Sequence, residues 1–321
     1  MILFLSLRKT NNFTDMKRAL VISGGGSKGA WAGGVAEYLI REKKYDYCVG
    51  VGSSTGSILL PHLMLNEIET IKDIYTNIRT RDIFSLNPFI ISKVDDSFVV
   101  KLNHLNILKS FINSEPTFGD SHKLLRKLRK EITFIQFQKL REINKEVIVT
   151  VSNLTKQQLE YKSSKTETYA DFVDWIWGSA NYVPFMSILN KNGYEYAEGG
   201  FATLLPIRAA IDFGDVEAVD VIVLTPKTQD KNLPKSTNAF QTLSKVFDIS
   251  QNHSFNKDLM LGQLKSVTRK VDVNMYYTPH LLTEYPLIFD PKTMRNWWQL
   301  GYEYAKKNEP ECHCYHPEND V

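Results

Sequence analysis

The sequence predicts an α/β domain of three layers, with a mostly parallel central sheet between helices. Two observations carry this. The unit strand, glycine-rich turn, helix occurs twice between Arg18 and Leu65, and parallel neighbours require such helical crossovers. Further short apolar runs, suited to strands buried on both faces, recur at residues 146–151, 219–224 and 271–277.

The first strand is Arg18-Ala19-Leu20-Val21-Ile22, and Gly24-Gly25-Gly26-Ser27-Lys28-Gly29 makes its turn. Residues 30–41 follow as a helix with Trp31, Val35, Tyr38 and Leu39 on one side. Asp46-Tyr47-Cys48-Val49-Gly50-Val51 is the second strand. Gly52-Ser53-Ser54-Thr55-Gly56 turns the chain into an apolar helix over 57–65, which carries Pro61. Residues 66–118 mix short helices and loops around Asn87-Pro88 and Glu115-Pro116. Over 120–144, Leu124, Leu125, Leu128, Ile132 and Ile135 recur at helical spacing among Lys123, Arg126, Lys127, Arg129 and Lys130, which predicts a basic amphipathic helix. Residues 155–170 read as a polar loop and 172–180 as a helix closed by Pro184. Asn192-Gly193 reads as a hairpin turn before Tyr194-Glu195-Tyr196-Ala197. The last helix, 291–307, carries Trp297 and Trp298, a pair assigned to the core. No repeat or low-complexity linker divides the chain. One domain is therefore expected over residues 17–308, with an arm over 1–16, in which Met16 is an alternative start, and a solvated tail over 309–321.

The 321 residues suffice for a sizeable core. A net charge of +3, with no zinc-finger spacing or basic repeat, gives no ground for nucleic-acid binding. No stretch approaches the roughly 18 apolar residues of a membrane span, and Ile2-Leu3-Phe4-Leu5-Ser6-Leu7 is too short for a signal core. Cys48 reads as a buried thiol. Cys312 and Cys314 lack the two-residue gap of common zinc knuckles. An odd cysteine count without a secretion signal favours a reducing cytoplasm.

Gly52-Ser53-Ser54-Thr55-Gly56 is a G-x-S-x-G run between a strand and a helix, the pattern of a nucleophile elbow. The turn is tight and needs small residues beside the serine, and the following helix N-terminus favours developing negative charge. Gly24, Gly25 and Gly26 can aim several backbone N–H groups at one spot, as an oxyanion site requires. Gly24, Gly26 and Gly29 also satisfy G-x-G-x-x-G. A dinucleotide site, however, wants an acid at the end of the second strand, where the serine elbow stands instead; Asp46 lies at that strand's start. The histidines His62, His104, His122, His253, His280, His313 and His316 sit in no notable motif. Asp212 and Asp220 are further bases on paper.

In order and kind, these motifs resemble the patatin-like phospholipases. That family carries a G-G-G-x-[K/R]-G loop after its first strand, then a G-x-S-x-G elbow, and much later a D-G-[G/A] motif whose aspartate forms a dyad with the serine. Here the third position is Glu198-Gly199-Gly200, ahead of Leu205-Pro206, and Ser179-Ala180 with Pro184 resemble a further small-residue segment. The resemblance covers roughly residues 17–225. It implies a catalytic Ser54 and Glu198, an oxyanion hole from Gly24, Gly25 and Gly26, and structural glycines at Gly52, Gly56, Gly199 and Gly200. Lys28 would brace the loop. It implies hydrolysis of a phospholipid or other lipid ester through an acyl-serine, without metal or cofactor. The location expected from the cysteine count is cytoplasmic, and the basic amphipathic pattern makes the helix at 120–144 a candidate contact with a membrane surface. The chain departs from the family in having Glu198 where the family has aspartate. Two other readings follow: a lipid-binding or scaffold protein whose turnover is impaired by that change, and a small-substrate esterase or thioesterase.

Overall fold

The computed structural model describes residues 16–94, 97–227, 235–236 and 239–313. Residues 1–15 of the predicted arm and 314–321 of the predicted tail, with Cys314 and His316, lie outside the described residues. A mixed, mostly parallel central sheet is flanked by helices on both faces.

The two opening strand–turn–helix units form as the pattern requires. Strand β1 (Arg18–Ile22) leads to α1 (Gly29–Arg41), and β2 (Tyr47–Gly52) leads to α2 (Thr55–Met64). Every side chain of β1 is buried, as a run apolar on both faces demands. Helix α2 starts two residues earlier than expected, because Ser54 is its N-cap, so Pro61 lies inside the helix. Next come α3 (Ile68–Asn77), α4 (Thr80–Ile83), a hairpin of β3 (Phe89–Val94) and β4 (Ser97–Leu102), and α5 (His104–Ile112).

The helix expected over 120–144 is two helices, α6 (His122–Glu131) and α7 (Phe134–Glu142). Thr133 and Gln136 separate them with a capping box: Thr133 Oγ1 accepts the Gln136 N–H at 3.2 Å, and Gln136 Oε1 accepts the Thr133 N–H at 2.8 Å. Leu124, Leu125, Leu128 and Ile132 are core residues, whereas Ile135 is exposed. Strand β5 (Glu146–Asn153) follows, then β6 (Gln158–Ser163), which pairs antiparallel with β5 inside the predicted polar loop. Its mixed residues are half-buried at a sheet edge, so they show no apolar run.

Helix α8 (Tyr169–Ser179) precedes β7 (Leu189–Lys191) and β8 (Tyr194–Ala197), joined by Asn192-Gly193, both at positive φ. After α9 (Ile207–Gly214) and β9 (Ala218–Val223) comes α10 (Ala239–Arg269), over residues given no element above. The chain ends with β10 (Asp272–Tyr277), α11 (Pro291–Lys307) and β11 (Glu311–His313). Residues 311–313, assigned above to a solvated tail, thus pair antiparallel with β10.

The strand order is β11-β10-β9-β1-β2-β5-β8-β7, with β6 beside β5. The five strands from β10 to β5 are parallel. The chain builds outward from β1 to β2 and β5, then returns to place β9 and β10 on the other side. The carboxyl ends of β1 and β9 therefore flank a topological switch point, where α/β sheets bind ligands, and the glycine loop leaves β1 there.

Helices α1 and α11 pack at glycines. A Cβ on Gly34 would stand 1.9 Å from the Trp298 carbonyl oxygen, and one on Gly301 would stand 2.1 Å from that of Trp31. Trp298 is fully buried, and its indole N–H donates to the buried Glu37 carboxylate at 2.6 Å. Replacing Gly34 by alanine forces these helices apart, at a cost of about 1–3 kcal/mol. The thermal midpoint should fall by several degrees, readable by calorimetry.

Candidate active site

Ser54 caps α2 at φ 53° and ψ −119°, a strained conformation for a residue with a side chain. The surroundings enforce it. A Cβ on Gly52 would lie 2.5 Å from the Gly56 carbonyl carbon and the Ser57 nitrogen, and one on Gly56 would lie 2.2 Å from the Ile22 oxygen. Only glycines let the elbow press against β1. The Ser54 N–H donates to Ser179 Oγ at 2.9 Å, and the Ser54 carbonyl accepts from Ser57 Oγ at 2.5 Å. Ser179, from the small-residue segment, thus holds the elbow's backbone.

Glu198 arrives from β8. Its N–H donates to the Asn181 carbonyl at 2.9 Å and its own carbonyl accepts from Ser152 Oγ at 2.7 Å. The next residue must be glycine, since a Cβ there would sit 2.2 Å from Thr150 Oγ1. So anchored, the buried Glu198 side chain lies against Ser54 and Gly200: its Oε1 and Ser54 Cβ both stand within 3.3 Å of the place a Cβ on Gly24 would take, and Oε1 is 3.1 Å from that of a Cβ on Gly200. Burial pushes its pKa up to about 8 from the ordinary 4.5, against the opposing pull of the neighbouring Ser54 hydroxyl and Gly200 N–H.

The glycine loop completes the cluster. A Cβ on Gly24 would come within 3.3 Å of both Ser54 Cβ and Glu198 Oε1, so Gly24 lies against the pair. Gly26 has φ 55° and begins a 3-10 turn, Gly26–Lys28. The Ser27 N–H is taken by the Pro286 carbonyl at 2.8 Å, and the Lys28 N–H by the Gly25 carbonyl at 3.2 Å. Lys28 is buried at the cavity wall with its stem beside Gly25.

The sequence reading missed three supports. Tyr75, on α3, donates its hydroxyl to the Gly26 carbonyl at 2.6 Å and also meets Thr55 Oγ1, tying the glycine loop to the elbow. Asp258, on α10, accepts the Leu204 and Leu205 N–H groups at 2.8 and 3.1 Å, fixing the segment after Gly200. Asn181 holds the Glu198 N–H as above. None had a local signal, because each acts from a distant element. Replacing Tyr75 by phenylalanine should lower kcat about tenfold to a hundredfold with little change in KM, since the loop loses its tether while the cavity keeps its shape. Steady-state kinetics on a soluble ester reads the split.

The other bases on paper stand elsewhere. Asp220 is buried at the start of the strands, where its carboxylate accepts from Arg18 Nη1, Tyr47 and Asn274 at 3.0, 3.1 and 2.9 Å. Asp212 pairs with Arg208 and Lys265. His62 lies two turns along α2 from Ser54, with Nε2 against the Glu131 carbonyl at 3.1 Å.

Ser54, Glu198 and the three loop glycines open into one cavity of about 1230 Å³. Its remaining walls are largely apolar, with Ile58, Ile78, Phe89, Leu128, Phe185 and Leu204 among them.

The model of a family described as patatin-like phospholipase matches residues 20–211, well over half of the chain. The chain belongs to the patatin-like phospholipase family. The matched span runs from within β1 into α9 and holds Ser54, Glu198 and the loop glycines, whereas Asp258 and Pro286 lie beyond it. The crystal structure of VipD from Legionella pneumophila aligns with 94% of this chain and 68% of its own, at 16% identity and a TM-score of 0.44. Among curated proteins none matches. No helix among the described residues is long and apolar enough to cross a membrane.

Proposed function

We propose that this patatin-like protein is a lipid acyl hydrolase of the phospholipase A or lysophospholipase type, working through a Ser54–Glu198 dyad. The observation that carries the reading is the placement of Ser54 on its strained elbow directly beside the buried Glu198 carboxyl group, at the head of a large apolar cavity. It also argues against impairment by glutamate: the longer side chain starts from a backbone held by Asn181 and Ser152 and lies beside the serine.

In the reaction, Glu198 takes the Ser54 proton as Oγ bonds to the ester carbonyl carbon. The oxyanion is held by N–H groups from Gly24, Gly25 and Gly26. As the tetrahedral intermediate collapses, the bond to the alcohol or lyso-lipid breaks and the leaving oxygen takes the proton from Glu198. Glu198 then deprotonates a water, which attacks the acyl-serine. The fatty acid leaves and Ser54 regains its proton. The apolar cavity receives the acyl chain, and no step needs a metal or cofactor.

Incubation with phosphatidylcholine vesicles tests the reading. Equal amounts of fatty acid and lyso-lipid should appear, and none with the Ser54→Ala variant. Turnover of soluble thioesters with no acyl release from vesicles or micelles would move the protein to the small-substrate reading. No turnover of any ester would leave a lipid-binding protein.

A further inference from the structure

Helix α5 is built inside-out. Toward the protein it turns Asn106, Ile107 and Ser110; Asn106 Nδ2 donates to the Asn87 carbonyl at 2.8 Å, and Ser110 is buried. Toward solvent it turns Leu105, Leu108, Phe111 and Ile112, which are 80, 54, 65 and 73% exposed. At 3.6 residues per turn these four fall within an arc of about 120°. A contiguous apolar face of this kind marks an interaction site.

The helix is joined to the hairpin before it. Asn103 caps α5 through the Asn106 N–H at 3.1 Å and donates its own N–H to the Pro88 carbonyl at 2.8 Å. Alternation gives the hairpin two sides. Phe89, Val100 and Leu102 line the cavity, while Ile90 and Val99 point the other way and are exposed. Ring contacts of Phe89 and Phe118 with Phe185, and of Phe111 with Phe118, root this flap in the body. His104, the first residue of α5, also lines the cavity, so the cavity wall and the exposed apolar face meet there.

We propose that the face made by Leu105, Leu108, Phe111 and Ile112, with Ile90 and Val99, docks on a phospholipid bilayer and sets the cavity against it. This rests on the lipid-ester reading of the cavity. The occupant follows from continuity, since one flap presents apolar side chains both to a lipid-sized cavity and to solvent. Three exposed lysines belong to this flap and can reach lipid phosphates: Lys109 on α5 beside the face, Lys101 at the cavity wall and Lys93 on the cavity side of the hairpin. Asp95 and Asp96 in the same sequence segment bring the sum to +1, so apolar insertion dominates and headgroup charge matters little. The basic helix α6 cannot supply this surface, because its apolar stripe is in the core. A second exposed stripe, Met260, Leu264 and Val267 on α10, is not among the residues that line this cavity.

The test is vesicle sedimentation of the full chain carrying Ser54→Ala, so that the lipid stays intact. It should bind phosphatidylcholine vesicles, and added phosphatidylserine should raise binding only a few-fold. Adding Leu105→Ser, Leu108→Ser and Ile112→Ser should weaken binding at least about tenfold, whereas Leu264→Ser should not. Unchanged binding by the triple variant, or no binding by the parent, overturns the proposal. So does a dimer that the triple substitution dissolves, which would give the face to a second copy. Soluble-ester hydrolysis with Ser54 intact tests catalysis separately: vesicle binding without hydrolysis leaves the docking surface standing.

Discussion

Replacing Ser54 by alanine should lower kcat on a short-chain p-nitrophenyl ester by at least about ten-thousandfold. The expected loss is large because in the proposed reaction the hydroxyl is the group that becomes acylated. The fold should survive. The elbow is set by Gly52, Gly56 and the Ser54 N–H bond to Ser179, none of which the substitution removes. An unchanged thermal midpoint, with activity lost, separates chemistry from folding. Full activity would remove Ser54 from the reaction.

Replacing Glu198 by glutamine should cost about a thousandfold, within the range for a lost general base. Glutamine matches the shape and can still accept the Gly200 N–H, but it cannot take the serine proton. Glu198→Asp should not restore the family's activity here. The backbone of residue 198 is fixed by Asn181 and Ser152, so the shorter side chain falls back from Ser54, and a misplacement near 1 Å costs about a hundredfold.

The same residue sets the pH dependence. With a folded pKa near 8, Glu198 is largely protonated at neutral pH, so kcat/KM should rise with pH and level off above about 8. In Glu198→Gln that inflection should vanish. The stability change has the opposite sign. Between about 4.5 and 8 the folded state holds a proton that the unfolded chain has released, so stability falls as pH rises through this window. Glutamine at 198 should flatten that part of the curve in denaturant titrations.

Much of this cluster was legible in the sequence because its members are encoded locally. Glycines stand at fixed offsets from Ser54, from β1 and from Glu198, so they leave a readable motif, although most of the atoms that exclude a Cβ there, such as Ile22 O at Gly56 and Thr150 Oγ1 at Gly199, come from distant segments. The parallel core was legible for the same reason: strands buried on both faces are apolar throughout. The edges were not. Strand β6 is half-buried with mixed residues, and the β3–β4 hairpin was missed although Phe89 and Ile91 face Leu102 and Val100 across it. The break at Thr133 had a signal, the Thr-x-x-Gln box, that the longer apolar spacing masked. Tyr75 and Asp258 act on the site from α3 and α10 through side-chain bonds to backbone atoms, and no spacing rule announces such partners. Helix α5 shows the converse. Its apolar residues were visible, but only the fold shows that they face outward.

The central claim, a serine activated by Glu198, is tested most directly by covalent labelling with a fluorophosphonate probe, read by mass spectrometry. The expected result is a single adduct on Ser54, formed faster as pH rises toward 8 and slowed about a thousandfold in Glu198→Gln. No adduct on Ser54, or labelling at the same rate in the glutamine variant, would contradict it.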